Sequence, residues 1–254
     1  MTITATTAQG IVHPAIGQVT TFTPKGRPAT FHVRATTNDA ALVAGIIGED
    51  EYDLAFEKFT GWAIDIGAHI GIVAVALALD NPDLRVVAIE AIPENADMVL
   101  RNVAANGLAE RVFVESAGAS EPGVQTVSIT YDYTSAGTAD VKIDTGYVSQ
   151  CRYIGNIWSQ YPDAERGATT ESVPALSLDA IIERYAMDRV ALVKIDCEGC
   201  EYAFLDTKAV ATVDRIIGEF HQNPQRIQKM LRRTHTVTIR VDRGGVGIFD
   251  AVHK

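Results

Sequence analysis

The chain has 254 residues, of which 47% are hydrophobic and 21% charged, and a formal net charge of -10. That length and composition suit one sizeable α/β core and demand no second independent domain. The acidic balance argues against a general nucleic-acid or anionic-membrane binder, and no apolar run is long enough to span a bilayer. The first residues, Met1-Thr2-Ile3-Thr4-Ala5-Thr6-Thr7, lack a charged-then-apolar leader pattern, so a cytoplasmic protein is expected.

Residues 1–60 read as an N-terminal extension. Residues 18–23 alternate as a strand, Pro24-Lys25-Gly26 turns the chain, 30–35 return as a second strand, and Asp39 opens a helix over 40–47. Residues 61–66 then read as a short buried strand, 67–71 as a tight turn, and 72–79 as an apolar helix that begins at that turn. Glycines let backbone N–H groups approach a ligand closely, and a helix start adds unpaired donors and partial positive charge. The combination suggests a nucleotide-type pocket.

Spacing narrows the choice. The dinucleotide pattern G-x-G-x-x-G fails, because Gly67 is followed by Gly71 after three residues. Asp65 stands at the strand's carboxyl end, placed to face a cationic group on the ligand. Glu90 closes the next apolar run, where a βαβ unit brings the second strand tip beside the first and a carboxylate can accept from both hydroxyls of a ribose.

Asn81-Pro82-Asp83 breaks the chain between these strands, and 94–106 form an amphipathic helix with Ala96, Val99, Leu100 and Val103 inward, capped by Asn106-Gly107. Val112-Phe113-Val114 is a third strand, and the small residues Ser116-Ala117-Gly118-Ala119 leave room for a flat ring. Residues 121–172 show one alternating stretch, 125–131, and otherwise no period, as in a functional insertion. Beyond it come a helix opened by Ser177-Leu178-Asp179, a buried strand over 190–195 ending in Asp196, and a strand over 215–221. Asn223-Pro224 starts a helix whose Arg226, Lys229, Arg232 and Arg233 form a solvated face, and 236–241 pair with 246–249 as a closing hairpin. Asp65, Glu90, Ala117, Asp196 and Glu219 all fall at strand ends, hence on one rim of the sheet.

Three stretches carry a family likeness: Ala63-Ile64-Asp65-Ile66-Gly67-Ala68-His69-Ile70-Gly71, Val87-Ala88-Ile89-Glu90-Ala91-Ile92-Pro93-Glu94-Asn95, and Val193-Lys194-Ile195-Asp196-Cys197-Glu198-Gly199-Cys200-Glu201. The chain resembles the FkbM family within the class I S-adenosylmethionine-dependent methyltransferases. The resemblance implies an α/β Rossmann-like three-layer sandwich with a mostly parallel seven-stranded sheet and a C-terminal antiparallel hairpin, as a single domain over 1–254. It implies S-adenosylmethionine as cofactor, S-adenosylhomocysteine as product, and O-methylation of a small-molecule hydroxyl such as a sugar or polyketide of secondary metabolism.

The cofactor set is then Asp65, Gly67, Ala68, His69, Gly71, Glu90, Ala91, Ser116, Ala117 and Asp196, with the glycine loop at the amino-acid end, Glu90 at the ribose and Ser116-Ala117 at the adenine. Asp196 stands nearest the methyl group, His221 at the next strand tip is the candidate general base with His69 as the alternative, and Glu219 completes the catalytic set. A divalent cation such as magnesium on Asp196 with Glu219 or His221 is an open alternative without a local ligand motif. Tyr52 is a candidate lid residue, while Tyr131, Tyr133, Tyr147, Tyr153 and Trp158 are candidate acceptor contacts. With only Cys151, Cys197 and Cys200 in the chain, no disulfide framework is expected, and the Cys197-x-x-Cys200 pair reads as small packing residues, with a redox pair or half a zinc site as the alternatives. Rival classes are an NAD(P)-dependent oxidoreductase and a non-catalytic cofactor-binding module. The expected partner is the hydroxyl acceptor, with neither nucleic acid nor membrane, and homo-oligomerisation is left open.

Overall fold

The computed structural model describes residues 15–54, 57–132, 139–143, 168–240 and 245–254. Tyr133, Tyr147, Tyr153, Trp158, Cys151 and the hairpin residues Asp242, Arg243 and Gly244 lie outside them.

Strands β1 (Ile16–Phe22) and β2 (Pro28–Arg34) form the expected N-terminal hairpin, followed by helix α1 (Asp39–Gly48). The chain then alternates through β3 (Gly61–Ile66), α2 (Ile72–Asp80), β4 (Leu84–Glu90), α3 (Pro93–Ala105) and β5 (Val112–Ser116). An excursion follows: β6 (Gly118–Ala119), β7 (Thr126–Asp132), β8 (Ala139–Ile143) and β9 (Ala168–Leu176). Alternation resumes with α4 (Leu178–Arg184), β10 (Leu192–Ile195), α5 (Glu201–Phe204), β11 (Arg215–His221) and α6 (Pro224–Leu231), and ends in β12 (His235–Ile239) and β13 (Val246–His253).

The main sheet has the order β12-β13-β11-β10-β3-β4-β5. Strands β5, β4, β3, β10 and β11 are parallel, while β13 runs antiparallel to both β11 and β12. Seven strands, mostly parallel, with a terminal antiparallel pair is the expected architecture. Its physical basis is visible in β3, which is buried on both faces. Ala63 packs with Val43 of α1, Val73 and Leu77 of α2 and Val99 of α3, whereas Ile64 and Ile66 pack with Ile181 of α4, Phe204 of α5 and Ile227 of α6. A parallel sheet needs crossover helices on each face, and each fully buried Ile contributes about 1.5–3 kcal/mol against exposure. Three layers result.

The chain leaves β3 toward β4 and β5, then returns to place β10 on the other side of β3. Strand order reverses between β3 and β10, so the crevice beyond their carboxyl ends is where an open α/β sheet binds its ligand.

The N-terminal hairpin is fastened to this frame by amide side chains. Asn102 of α3 and Asn106, which caps it, each accept from and donate to the β2 backbone, at His32 (2.6 and 3.3 Å) and Thr30 (2.9 and 2.7 Å). They satisfy the edge of β2 that β1 leaves unpaired.

The excursion departs from the sequence reading. Only β7 was expected within 121–172, yet β6, β9, β7 and β8 form a four-stranded sheet in that order. Val127 and Ile129 bury one face of it against Ile92, as the alternation implied. Tyr131, a candidate acceptor contact, belongs instead to that buried face: it is 1% exposed, and its hydroxyl donates to Glu94 at 3.0 Å or Glu171. Among the described residues no helix is long and apolar enough to cross a membrane.

Candidate cofactor and acceptor site

A cleft of about 920 Å³, counted to its open mouth, lies beyond the carboxyl ends of β3, β4 and β10. Cofactor clefts fall in this range of size. Of the expected residues it is lined by Gly67, Ala68, His69, Glu90, Ala91, Ala117 and Asp196. Gly118 and Ala119 extend the small-residue wall, and Tyr52, the candidate lid residue, joins it with Lys194 and Glu198 of the third family stretch.

The glycine loop is built on β4. The amides of Gly67 and Ala68 both donate to the Ile89 carbonyl at 3.0 Å, and that of His69 donates to Glu90 Oε2 at 2.8 Å. Glu90 Oε1 accepts from the Ile92 amide at 2.9 Å. Burial raises its carboxyl to about 7 against these stabilising N–H groups. Gly67 has φ +70°, and a Cβ there would lie 1.8 Å from the Asp196 carbonyl oxygen, so no other residue lets this loop pass the end of β10.

Asp65 does not face the ligand as expected. It is fully buried behind the loop, 3.3 Å from Lys194 Nζ, and accepts from the Ala74 amide at 3.1 Å. A carboxylate in so dry a place needs a cation, and the register sets Lys194 directly opposite it across β3 and β10. Lys194 Nζ also donates to the Gly67 carbonyl at 3.1 Å. Burial opposes its charge, but Asp65 and Asp196 outweigh burial and hold its pKa above the usual value. The pair therefore shapes the loop from below. Gly71 and Ser116 do not line the cleft either: Gly71 is pressed against Val99 of α3, and Ser116 is exposed.

The N-terminal extension contributes a part that sequence reading missed. Arg34 and Asp39 form a buried two-pronged ion pair at 2.8 and 2.9 Å, and Arg34 Nη2 stands 3.3 Å from His69 Nε2. Burial, with help from Arg34 and against Asp39, lowers His69 to about 4, so the imidazole is neutral. Its φ of 53° also puts it in the left-handed region, held there by the loop.

At the other end Tyr52 donates from its hydroxyl to Asp196 Oδ2 at 3.1 Å and is 3% exposed. Ligand atoms of Asp196, Glu219 and His221 lie within 4.8 Å of one another, so the strand tips do bring the three expected catalytic residues together, and of the three Asp196 lines the cleft. His221 is enclosed by carboxylates: Nδ1 is 2.9 Å from Glu201, and Nε2 is 3.3 Å from Glu198 and 3.4 Å from Glu219. Burial pulls its pKa down, but the hydrogen bond to Glu201 and the surrounding charges raise it to about 10. His221 is thus an imidazolium with no lone pair to offer, which removes it as the neutral base expected from sequence. Burial, with Asp196 adding, pushes Glu198 up to about 8 and Glu219 up to about 7.

Cys197 and Cys200 are not the free packing residues expected. They form a disulfide, with Cα atoms 5.4 Å apart.

Lys194 was legible in principle. It sits between Val193 and Ile195 in a strand buried on both faces, a position that requires a carboxylate partner, and Asp65 is the one available at that register. No comparable signal linked Arg34 to His69.

The chain was compared with known proteins. Its fold is similar to the precorrin-6y C5,15-methyltransferase of Geobacter metallireducens, at TM-score 0.40 and 12% identity over 85% of this chain and 87% of that one. It is also similar to the O-methyltransferase of Bacillus cereus in complex with SAH, at TM-score 0.41 and 17% identity over 76% of this chain and 74% of that one. No curated protein matches the sequence. The model of the methyltransferase FkbM domain matches residues 65–241, from the loop-supporting carboxylate to the terminal hairpin, and so the chain belongs to the FkbM family of S-adenosylmethionine-dependent methyltransferases.

Proposed function

We propose that the cleft holds S-adenosylmethionine and that the chain transfers its methyl group to a hydroxyl of a small molecule, such as a sugar, polyketide or other secondary metabolite. The observation that carries this reading is the contrast within one cleft between an amide-rich end at Gly67, Ala68 and neutral His69 and an acidic end at Asp196 and Glu198.

The loop amides and neutral His69 receive the amino-acid end of the cofactor, Glu90 accepts from the ribose hydroxyls, and Ala117, Gly118 and Ala119 leave space for the adenine. The cofactor supplies an electrophilic methyl group on a positively charged sulfur. Asp196, steadied by Tyr52, orients the acceptor hydroxyl in line with it, and alignment to about 3 Å provides much of the rate. Glu219 takes the hydroxyl proton. Burial and Asp196 bring its pKa to about 7, which suits a base at neutral pH, and the His221 cation offsets part of the charge that Asp196 and Glu51 place around it. Oxygen is favoured over nitrogen because a carboxylate base is needed for an alcohol, whereas a neutral amine attacks unaided.

The test is methyl transfer from labelled S-adenosylmethionine to matched acceptors, each sugar or polyketide alcohol paired with its amine counterpart. Methyl ether as the main product supports the reading. Label on nitrogen with none on oxygen would overturn it.

A further inference from the structure

The Cys197–Cys200 disulfide closes a ring of four residues whose members Cys197, Glu198 and Cys200 all line the cleft. Within that ring Glu198 has φ 55°, a left-handed backbone that a residue with a Cβ adopts only under constraint. The amides of Cys197 and Gly199 converge on Glu201 Oε1, at 3.3 and 3.2 Å, and His221 Nδ1 meets the same oxygen at 2.9 Å. The ring is thereby tied to the acidic end of the cleft on one side, and the carbonyl of Asp196, the residue that leads into it, lies against Gly67 of the glycine loop on the other.

We propose that Cys197 and Cys200 are a redox-active site, exchanged by a dithiol reductant, whose oxidised form holds the cleft in its cofactor-binding shape. The proposal rests on the cofactor reading given above. Cys197 is the more exposed of the two, Cys200 being 5% exposed, so a thiolate of the reductant attacks the Cys197 sulfur and releases Cys200 as thiolate. The second reductant thiolate resolves the mixed disulfide. Two electrons and two protons pass from the reductant to the cysteines, and the reductant leaves as its own disulfide. The parted sulfurs then move to van der Waals separation, the ring opens, Glu198 is free to leave its left-handed conformation, and the support of Asp196 and Gly67 loosens. Cofactor in the cleft covers the bond and so slows the reductant's attack, and linkage requires that bound cofactor disfavour reduction by the factor by which reduction weakens its binding.

The experiment is a calorimetric titration of the full chain with S-adenosylhomocysteine, first oxidised and then after dithiothreitol, with thiols counted by alkylation and mass spectrometry. Affinity is expected to fall about tenfold on reduction and to recover on reoxidation. Saturating S-adenosylhomocysteine should slow the appearance of the two thiols, a readout that needs no variant. The Cys197→Ser/Cys200→Ser double variant should bind weakly and ignore dithiothreitol. Equal affinity in both redox states, or a reduction rate unchanged by ligand, overturns the proposal. Absence of binding in both states overturns the cofactor reading itself and this proposal with it.

Discussion

Two histidines stand at opposite ends of one cleft and hold opposite charge states. His69 is brought down to about 4 and His221 up to about 10, although both are largely buried and burial alone would push both the same way. The difference lies in their partners. His69 has Arg34 at 3.3 Å and Asp39 at 3.5 Å on the same nitrogen, a cation and an anion already paired with each other, so burial decides its state. His221 has carboxylates at both nitrogens. Residue type thus fixes neither histidine's role, and the neutral end suits a cofactor while the charged end suits proton chemistry.

Lys194 lies between the two ends, and removing it should disturb them most. Lys194→Met leaves Asp65 as an uncompensated buried carboxylate, at a cost of about 3–5 kcal/mol in urea unfolding. Most of that loss should return in the Asp65→Leu/Lys194→Met double variant, and equal instability of both would show that the pair is not the support of the loop.

Glu219→Gln acts at the acidic end alone. We expect kcat to fall about a hundredfold, with affinity for S-adenosylhomocysteine unchanged. Because the base works ionised, wild-type kcat should decline as pH drops below about 7, and this limb should flatten in the variant. A comparable fall in His221→Gln with the limb preserved would return the role of base to the histidine.

At the neutral end, Glu90→Ala should weaken S-adenosylhomocysteine binding by about 2 kcal/mol through loss of charge-assisted hydrogen bonds, as read by calorimetry. Unchanged affinity would remove Glu90 from the cofactor site.

The smallest effect is the pH dependence of stability. The folded pKa of His221 is raised, so its contribution is complete below its unfolded value of 6.5 and is lost as pH rises toward about 10. The folded pKa of His69 is lowered, so its cost appears as pH falls from 6.5 toward about 4. Melting temperatures across that span should lose their alkaline limb in His221→Gln and their acid limb in His69→Gln. Identical profiles would contradict the two assigned charge states.

The sequence made the frame legible because β3, β4, β10 and β11 are apolar runs that end in turn residues or carboxylates, and the strand ends then had to share one rim. It hid the small sheet, because β6 has two residues and β9 reads Thr169-Thr170-Glu171-Ser172, a polar stretch whose pairing with β7 lies across the insertion. It misplaced Asp65 because a carboxylate at a strand end looks ligand-facing until the strand across from it supplies a lysine. The state of His221 was out of reach for a related reason: Glu198 and Glu201 arrive from the turn after β10 and the start of α5, and only their convergence fixes the proton.

The most direct measurement is titration of the wild-type chain with S-adenosylhomocysteine and, separately, with NADH. Saturable binding of the first, weakened in Glu90→Ala and kept in Glu219→Gln, is the expected result. Preference for NADH, or no heat with either ligand, would contradict a cleft built around a sulfonium nucleoside.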